Sequence, residues 1–167
     1  VGEQCHTYGC SFWWPFNGTG FLTQDIYLIR SQMSPEFTMG VDTRPTDQSY
    51  DVLRKAFKEW KQVSPCYFGD YWPLTGYSLK NDVWMAWQFD RPDLGEGFFQ
   101  AFRRGDCPEE SITLKLRGLD PNATYTVTDL DNPTPKQMKG SALINGFLAR
   151  SADKPAALIW TYKKVGN

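Results

Sequence analysis

The first third of the chain alternates short apolar runs with a segment of helical periodicity. Residues 10–14 are largely apolar and are followed by Pro15 and a glycine-containing loop, which predicts a buried strand and a turn. A second apolar run at 37–41 predicts another strand. Between the two runs, Thr23 is suited to cap a helix whose apolar residues recur at helical spacing: Ile26, Ile29 and Met33.

The longest predicted helix comes next and ends before Ser64 and Pro65. Charged residues occupy most of its surface, and one stripe is apolar: Tyr50, Leu53, Phe57 and Trp60. The resulting βαβα order is typical of a parallel sheet. Because a parallel sheet is buried on both faces and needs several strands, we expect residues 1–65 to be the end of a larger domain.

Past a junction rich in glycine, proline and tyrosine at 66–80, the pattern changes to short strands separated by turns. Strands at this spacing predict an antiparallel β-sandwich of six to eight strands over residues 81–167. The fold class expected for the whole chain is therefore α+β. The predicted strands lie at 83–89, 97–102, 111–116, 124–128 and 156–162.

Composition excludes several classes of protein. Hydrophobic residues make up 41% of the 167 residues and charged residues 22%, a balance that disordered chains lack. A net charge of −1 argues against a nucleic-acid partner, and no apolar run approaches the ~18–20 residues that a membrane helix needs. Aromatic residues reach 16%, which favours a large core, although such rings also serve as platforms for sugars.

Cysteine and histidine give no signal of a metal site. Cys5, His6 and Cys10 lack the spacing of zinc ligands, and the single histidine has no G-x-S-x-G phrase to act with. We therefore expect no metal and no cofactor, and a structural or surface role for His6. The even number of cysteines allows disulfides or buried free thiols, and this choice stays open: Cys5, Cys10, Cys66 and Cys107.

Candidate ligand-binding residues follow the two predicted parallel strands. In barrels, functional side chains lie at the carboxyl ends of strands. Trp13, Trp14 and Asn17 hold this position after the first predicted strand, and Asp42 holds it after the second. At most one of the two tryptophans faces a cavity, because neighbours on a strand point to opposite sides. Asp42 is equally suited to cap the turn before the following proline.

Other charged residues are predicted to be solvated. Asp25 and Arg30 are expected on the surface of a helix. Two further pairs come at the ends of predicted strands: Arg103 with Arg104, and Lys163 with Lys164.

Several phrases of the sequence are long enough to compare with known families. They are QCHTYG at 4–9, SFWWP at 11–15, GTG at 18–20, YFGDYWPLT at 67–75 and WMAWQFDRP at 84–92. In this order they resemble the late barrel, the barrel exit and the start of the C-terminal sandwich of family 36 glycoside hydrolases of the α-galactosidase (melibiase) type. The likeness covers nearly the whole chain.

This resemblance implies the last two βα units of a (β/α)8 barrel at 1–65, a junction at 66–80 and an antiparallel β-sandwich at 81–167. It implies a retaining glycoside hydrolase that removes terminal α-linked galactose, with an α-galactoside or oligosaccharide as the partner of the full-length enzyme. The family's two catalytic aspartates stand in K-x-D and C-x-S-G-G-R-x-D phrases on earlier strands, and this sequence contains neither phrase. We therefore assign no catalytic residue and expect the chain alone to be inactive, with Trp14, Trp13, Asn17 and Asp42 lining the sugar pocket.

Two alternatives stay open: a carbohydrate-binding sandwich without catalysis, and a structural or interaction module. The chain begins at Val1 without a methionine or a signal-peptide profile, so we expect a cut at this point. Compartment and oligomeric state are not predicted. If residues 1–65 belong to a larger barrel, four aromatic side chains should be incompletely covered: Trp13, Phe37, Phe57 and Trp60.

Overall fold

A computed structural model describes residues 1–14 and 16–166 as an α+β fold with mostly antiparallel sheets. The described helices are α1 (Gly2–Cys10), α2 (Ile26–Ser31), α3 (Tyr50–Val63) and α4 (Gly140–Asn145), and Ser64–Phe68 forms a 3₁₀ turn. The described strands are β1 (Gly18–Phe21), β2 (Glu36–Met39), β3 (Asp70–Pro73), β4 (Trp84–Arg91), β5 (Glu96–Arg103), β6 (Ser111–Leu114), β7 (Thr124–Asp129), β8 (Lys136–Lys139), β9 (Phe147–Arg150) and β10 (Ala156–Lys164).

The predicted βαβα order is present in the N-terminal part, with shifted boundaries. β1 and β2 pair in parallel over their whole lengths, α2 connects them, and α3 follows β2. Asp25, and not Thr23, caps α2, because its Oδ1 accepts a hydrogen bond from the backbone N–H of Leu28 at 3.1 Å. The Thr23 hydroxyl instead accepts from the backbone N–H of Asp25.

The strand predicted at 10–14 is wrong. These residues form the end of α1 and the turn after it, where the backbone N–H groups of Trp13 and Trp14 donate to the carbonyl of Cys10 at 3.0 and 2.8 Å. Pro15, which was expected to end that strand, lies outside the described residues. α1 has no apolar periodicity because two of its four buried side chains are polar: Gln4, Cys5, Thr7 and Tyr8.

A six-stranded antiparallel sheet dominates the rest of the chain, in the spatial order β3-β4-β5-β10-β7-β8. β10 lies in the middle, with Trp160 opposite Phe99 of β5 and Asp129 of β7. β3 arises in the junction where no strand was predicted. Its Pro73 is tolerated because β3 is an edge strand, where one missing amide donor leaves the ladder intact.

One face of this sheet packs against a ribbon made of β6 and β9. Leu114 and Ala149 of the ribbon share a core with Phe99, Val127 and Trp160 of the sheet. The resulting pair of antiparallel layers is consistent with the predicted β-sandwich.

The opposite face of the six-stranded sheet is buried by the N-terminal part of the chain. Trp87, Phe102 and Ile159 of the sheet share a second core with Tyr8 of α1 and Ile29 of α2. β4 and β5 are therefore buried on both faces. Most of the aromatic content lies in these two cores rather than on the surface.

The four aromatic side chains that were expected to be incompletely covered differ in their exposure to solvent. Trp13 is 88% exposed, as expected, whereas Phe57 and Trp60 are half-buried. The expectation is wrong for Phe37, which is 8% exposed because its ring contacts those of Phe21, Phe57 and Trp60 at centroid distances of 4.8, 5.7 and 6.0 Å.

Arg30 is buried, contrary to the prediction that it lies on a helix surface. Its guanidinium donates to both carboxylate oxygens of Glu59 at 2.9 and 2.6 Å and to both of Asp131 at 2.7 and 2.8 Å. Glu59 is therefore part of the buried face of α3, whereas Tyr50 of the predicted apolar stripe is exposed. The sequence pattern of α2 cannot show that α3 and the β7–β8 turn cover it.

Arg103 and Arg104, also predicted to be solvated, are fully buried. Arg104 donates to Oε1 of Gln4 at 2.9 Å and to two backbone carbonyls of the junction, so it joins α1 to the sandwich. Arg103 donates to four backbone carbonyls within the sandwich. Burial of these two guanidinium groups is tolerated because most of their donors are matched by acceptors, although Nε of Arg103 is buried and donates to no acceptor among the described residues.

Candidate functional site at the carboxyl ends of the parallel strands

The carboxyl ends of β1 and β2 lie side by side and form the candidate functional site. The backbone N–H of Gly40 donates to the carbonyl of Phe21 at 2.9 Å, which extends the pairing by one step beyond the strands. The loops that leave the strands run from 22 to 25 and from 40 to 49. Ligands of α/β folds bind at this edge of parallel sheets, so the side chains of these loops are the relevant ones.

Asp42 lies in the second of these loops and is paired with Arg44. The Nε and Nη2 atoms of Arg44 donate to Oδ1 and Oδ2 of Asp42 at 2.9 and 2.8 Å, and its backbone N–H donates to Oδ1 at 3.0 Å. These hydrogen bonds hold the pKa of Asp42 below its ordinary value. At neutral pH Asp42 is therefore a carboxylate that accepts hydrogen bonds, and it is not suited to donate a proton.

Two glutamines link the loops, and sequence reasoning did not identify them. The side-chain amide of Gln24 donates to Oε1 of Gln48, and its own Oε1 accepts from the backbone N–H of Ser49 at 2.6 Å. Gln48 in turn donates to the carbonyl of Asp42 at 2.8 Å. The sequence signal for these glutamines is a polar side chain within a few residues of the end of a parallel strand. Recognising it requires the correct strand boundaries.

Trp13, Trp14 and Asn17 lie before β1, at the opposite end of the strand pair from Asp42. Asn17 is buried, its amide donates to the carbonyl of Trp14 at 2.9 Å, and its backbone carbonyl accepts from Glu36 at the start of β2. Trp14 is 67% exposed. The structure therefore does not bring these three residues together with Asp42, because the first strand begins at Gly18 and not near residue 10.

The cysteines and the histidine are outside this site. All four cysteines are free thiols, and burial raises the pKa of Cys66 to about 12, so its thiol is unreactive at neutral pH. His6 is exposed on α1. Over residues 1–14 and 16–166, no three histidine, cysteine or acidic side chains come together as a metal site would require. No helix in the same ranges is long and apolar enough to cross a membrane.

Comparison with known proteins extends the picture beyond these residues. The sequence profile of the glycosyl hydrolase family 36 C-terminal domain matches residues 84–160, from the start of β4 to the middle of β10. Comparison with curated proteins gives no match at the level of sequence.

Solved structures share the fold along most of the chain. The galactosidase domain of an α-galactosidase–sucrose kinase superposes with a TM-score of 0.77 at 17% identity, over 98% of this chain and 24% of that one. A family 36 α-galactosidase from Geobacillus stearothermophilus in complex with raffinose gives 0.65 at 22% identity, over 82% and 19% of the two chains. The α-galactosidase from Lactobacillus brevis gives 0.65 at 14% identity, over 83% and 20%.

Because the identities are low, these superpositions demonstrate a common fold and nothing more. The chain spans about a quarter or less of each of the three proteins. The matching profile is that of a C-terminal domain, and the superposed proteins are α-galactosidases. The predicted resemblance of this chain to the C-terminal part of family 36 glycoside hydrolases is therefore confirmed.

Proposed function

We propose that the chain is the C-terminal part of an α-galactosidase-like retaining glycoside hydrolase. In this proposal, residues 1–65 are the last two βα units of a (β/α)8 barrel, 66–80 are the junction, and 81–167 are the antiparallel β-sandwich. The supporting observation is the parallel β1–α2–β2–α3 segment, packed on an antiparallel sheet in a chain that superposes over 98% of its length on a galactosidase domain.

The proposed substrate is an oligosaccharide that ends in α-linked galactose. Two of the similar α-galactosidase structures are complexes with raffinose and stachyose, which supports this substrate class. Retaining hydrolysis needs two carboxylates roughly 5–5.5 Å apart, one of them able to donate a proton. Because Asp42 is paired with Arg44 and Asp25 caps α2, we assign both catalytic aspartates to barrel strands outside these residues.

Asp42 is the residue of this chain that we place at the sugar. It lies at the carboxyl end of β2, and its carboxylate accepts hydrogen bonds of the kind that sugar hydroxyls donate. The sugar contacts of Trp13, Trp14 and Asn17 stay predictions, although the structure places these residues at the amino end of the strand pair. A site there would be separate from the one at Asp42.

The proposal is tested by comparing the isolated chain with the product of a longer gene that encodes a preceding barrel. We expect the 167-residue chain to release no chromophore from an aryl α-galactoside, whereas the longer protein turns it over. Ordinary turnover by the isolated chain contradicts the assignment of the catalytic aspartates. A longer protein that is folded but inactive on α-galactosides, and active on another glycoside, contradicts the proposed substrate.

The role of Asp42 is tested in the longer, active protein. Asp42→Asn should raise KM about tenfold with kcat little changed, because it replaces a charged hydrogen-bond acceptor by a neutral amide. Asp153→Asn, which makes the same chemical change at an exposed residue of the sandwich, should leave KM unchanged. An unchanged KM for both variants contradicts the contact.

A structural role of the sandwich is a second candidate function, and the buried arginines favour it. Arg30 and Arg104 are both buried, and their hydrogen bonds join α2 and α1 to the sandwich. In a hydrolase this arrangement would hold the last barrel helices in place. It accounts for the sandwich without any contact to substrate.

A further inference from the structure

A cavity of about 330 Å³ opens between the two layers of the sandwich, beside the turn that joins β7 to β8. It is remote in sequence from the loops that follow β1 and β2. Its floor and walls are apolar: Val127, Met138, Phe147, Leu148 and Trp160. Its rim is polar: Asp129, Asn132, Thr134 and Lys136.

Trp160 provides a hydrogen-bond donor in the lining of this cavity. The ring is 7% exposed, stacks on Phe99 at a centroid distance of 5.0 Å and meets the edge of Phe147 at 5.1 Å, so its position is fixed. Its indole N–H donates to no acceptor among the described residues. The Nε1 atom is not among the buried atoms that lack a partner, so it is open to solvent and available to a hydroxyl of a ligand in the cavity.

Asp129 provides a matching acceptor on the rim. Its Oδ1 accepts the backbone N–H groups of Asp131 and Asn132 at 2.8 and 3.4 Å, which fixes the side chain, while its Oδ2 accepts no hydrogen bond within the described part of the chain. The neighbouring carboxylate of Asp131 binds Arg30 at 2.7 Å. The turn is therefore anchored from both sides, as a preorganised binding site requires.

The chemistry of the lining selects a neutral ligand rich in hydroxyl groups. Asp129 and Lys136 carry opposite charges, and Lys136 forms no ion pair with any described residue. An anionic ligand would therefore be repelled by Asp129, and a cationic ligand by Lys136. Hydroxyls match the carboxylate oxygen, the indole N–H and the amide of Asn132. The apolar floor suits the C–H faces of a sugar ring.

We propose that this cavity binds one neutral sugar ring and thereby gives the sandwich a carbohydrate site of its own. Its volume lies at the lower end of the ~300–1,000 Å³ that ligand pockets occupy, which fits a single ring rather than a long chain. The site is separate from the carboxyl ends of β1 and β2. It does not depend on the proposed hydrolase activity, because no step of catalysis involves it.

The test follows the indole N–H resonance of Trp160 by NMR while the 167-residue chain is titrated with galactose, glucose or raffinose. Trp160→Phe identifies the resonance. We expect a saturable shift of this resonance with at least one of the three sugars. Absence of a saturable shift with all three, in a chain that retains its native unfolding transition, overturns the proposal.

Two variants of the lining test whether the sugar occupies this cavity. Asp129→Asn keeps the acceptor that fixes the turn but alters Oδ2, so affinity should fall about tenfold, whereas Asp153→Asn should not change it. Leu148→Arg obstructs the mouth from a side chain that is 63% exposed and should abolish binding. Leu79→Arg, at a similarly exposed position elsewhere, should not. Wild-type affinity in both Asp129→Asn and Leu148→Arg overturns the proposal. It is also overturned if the cavity binds an apolar dye but none of the three sugars.

Discussion

Arg30 and Arg104 are charged side chains that the fold removes from water. Arg30 contacts Glu59 of α3 and Asp131 of the β7–β8 turn, while Arg104 contacts Gln4 of α1. A buried guanidinium is stable only when its donors are matched, and removal of one partner leaves the other as an unpaired buried charge. Apolar contacts stabilise the packing of the N-terminal part on the sandwich, and these hydrogen bonds fix its orientation.

Substitution of Arg30 should be strongly destabilising. Arg30→Met leaves the buried Glu59 carboxylate with only the half-exposed Lys55, 3.2 Å away, so the free energy of unfolding should fall by about 3 kcal/mol in urea titrations. The double variant Arg30→Met with Glu59→Met should regain part of this loss. Arg54→Met, which breaks an exposed ion pair with Asp51, serves as the control and should cost at most about 1 kcal/mol. Equal losses for Arg30→Met and Arg54→Met contradict the argument.

Gly118 is a second residue whose identity is set by its surroundings. Its φ is +75°, and a Cβ atom there would lie 2.6 Å from Oδ2 of Asp90, a buried carboxylate that accepts the hydroxyl of Tyr162 at 2.6 Å. Gly118→Ala should lower the free energy of unfolding by about 1–3 kcal/mol through backbone strain and displacement of Asp90. Thermal unfolding measures this loss. Gly76→Ala, where a Cβ meets no atom within 4 Å, should change the melting temperature little, and the reverse ranking contradicts the prediction.

Among the elements, the parallel pair β1–β2 has much less support than the antiparallel sheet. Each of its strands has four residues and one partner, whereas β5 and β10 have eight and nine residues and a partner on both sides. A two-stranded sheet is marginal by itself and depends on the helices packed against it. This difference has a measurable consequence.

Backbone amides of β1 and β2 should exchange with deuterium faster than those of β5 and β10. Exchange from the central strands requires global unfolding, whereas the short pair opens locally. Hydrogen exchange followed by NMR or mass spectrometry on the 167-residue chain provides the measurement. The amides of β7, which pairs on both sides, should behave like the central strands. Equal protection of β1 and β10 contradicts the prediction.

The elements also show what the sequence could predict. β4, β5, β7 and β10 lie within three residues of their predicted boundaries, because aromatic runs, alternation and turn residues depend on local sequence alone. α1 and the edge strand β3 could not be predicted, because two of the four buried side chains of α1 are polar and β3 has only four residues, one of them a proline. The misplaced first strand carried an error into the site: Asp42 is where it was expected, whereas Trp13, Trp14 and Asn17 are at the other end.

For the whole molecule, the pH dependence of stability should reflect the attachment of the two parts. Although burial raises the pKa of Asp131, the hydrogen bonds from Arg30 and Lys55 lower it to about 2, below its ordinary 3.8. The folded state therefore binds fewer protons than the unfolded state between these values. The stability that Asp131 contributes is complete above about pH 4 and is lost as the pH falls towards 2. Asp90 acts in the opposite direction, because burial raises its pKa and acid favours its folded form.

Asp131→Asn isolates this contribution. The variant should be less stable than the wild type at pH 6, and the difference in free energy of unfolding should shrink as the pH falls from 4 to 2. Asp153→Asn should follow the wild type at every pH, because its exposed side chain has no ion-pair partner among the described residues. Urea midpoints at pH 6, 4 and 3 measure the effect. A difference between Asp131→Asn and wild type that stays constant over this range contradicts the attribution to Asp131.

The central position of β10 has a consequence for biosynthesis. β10 joins β3–β4–β5 to β7–β8, although it is made after all of them. While a ribosome is still translating the segments before it, the two halves of the sheet have no common strand and expose apolar edges. The wall on which residues 1–63 pack is then incomplete. Nascent chains stalled before residue 156 should therefore be bound by chaperones and digested by proteases, and chains released after residue 164 should resist both.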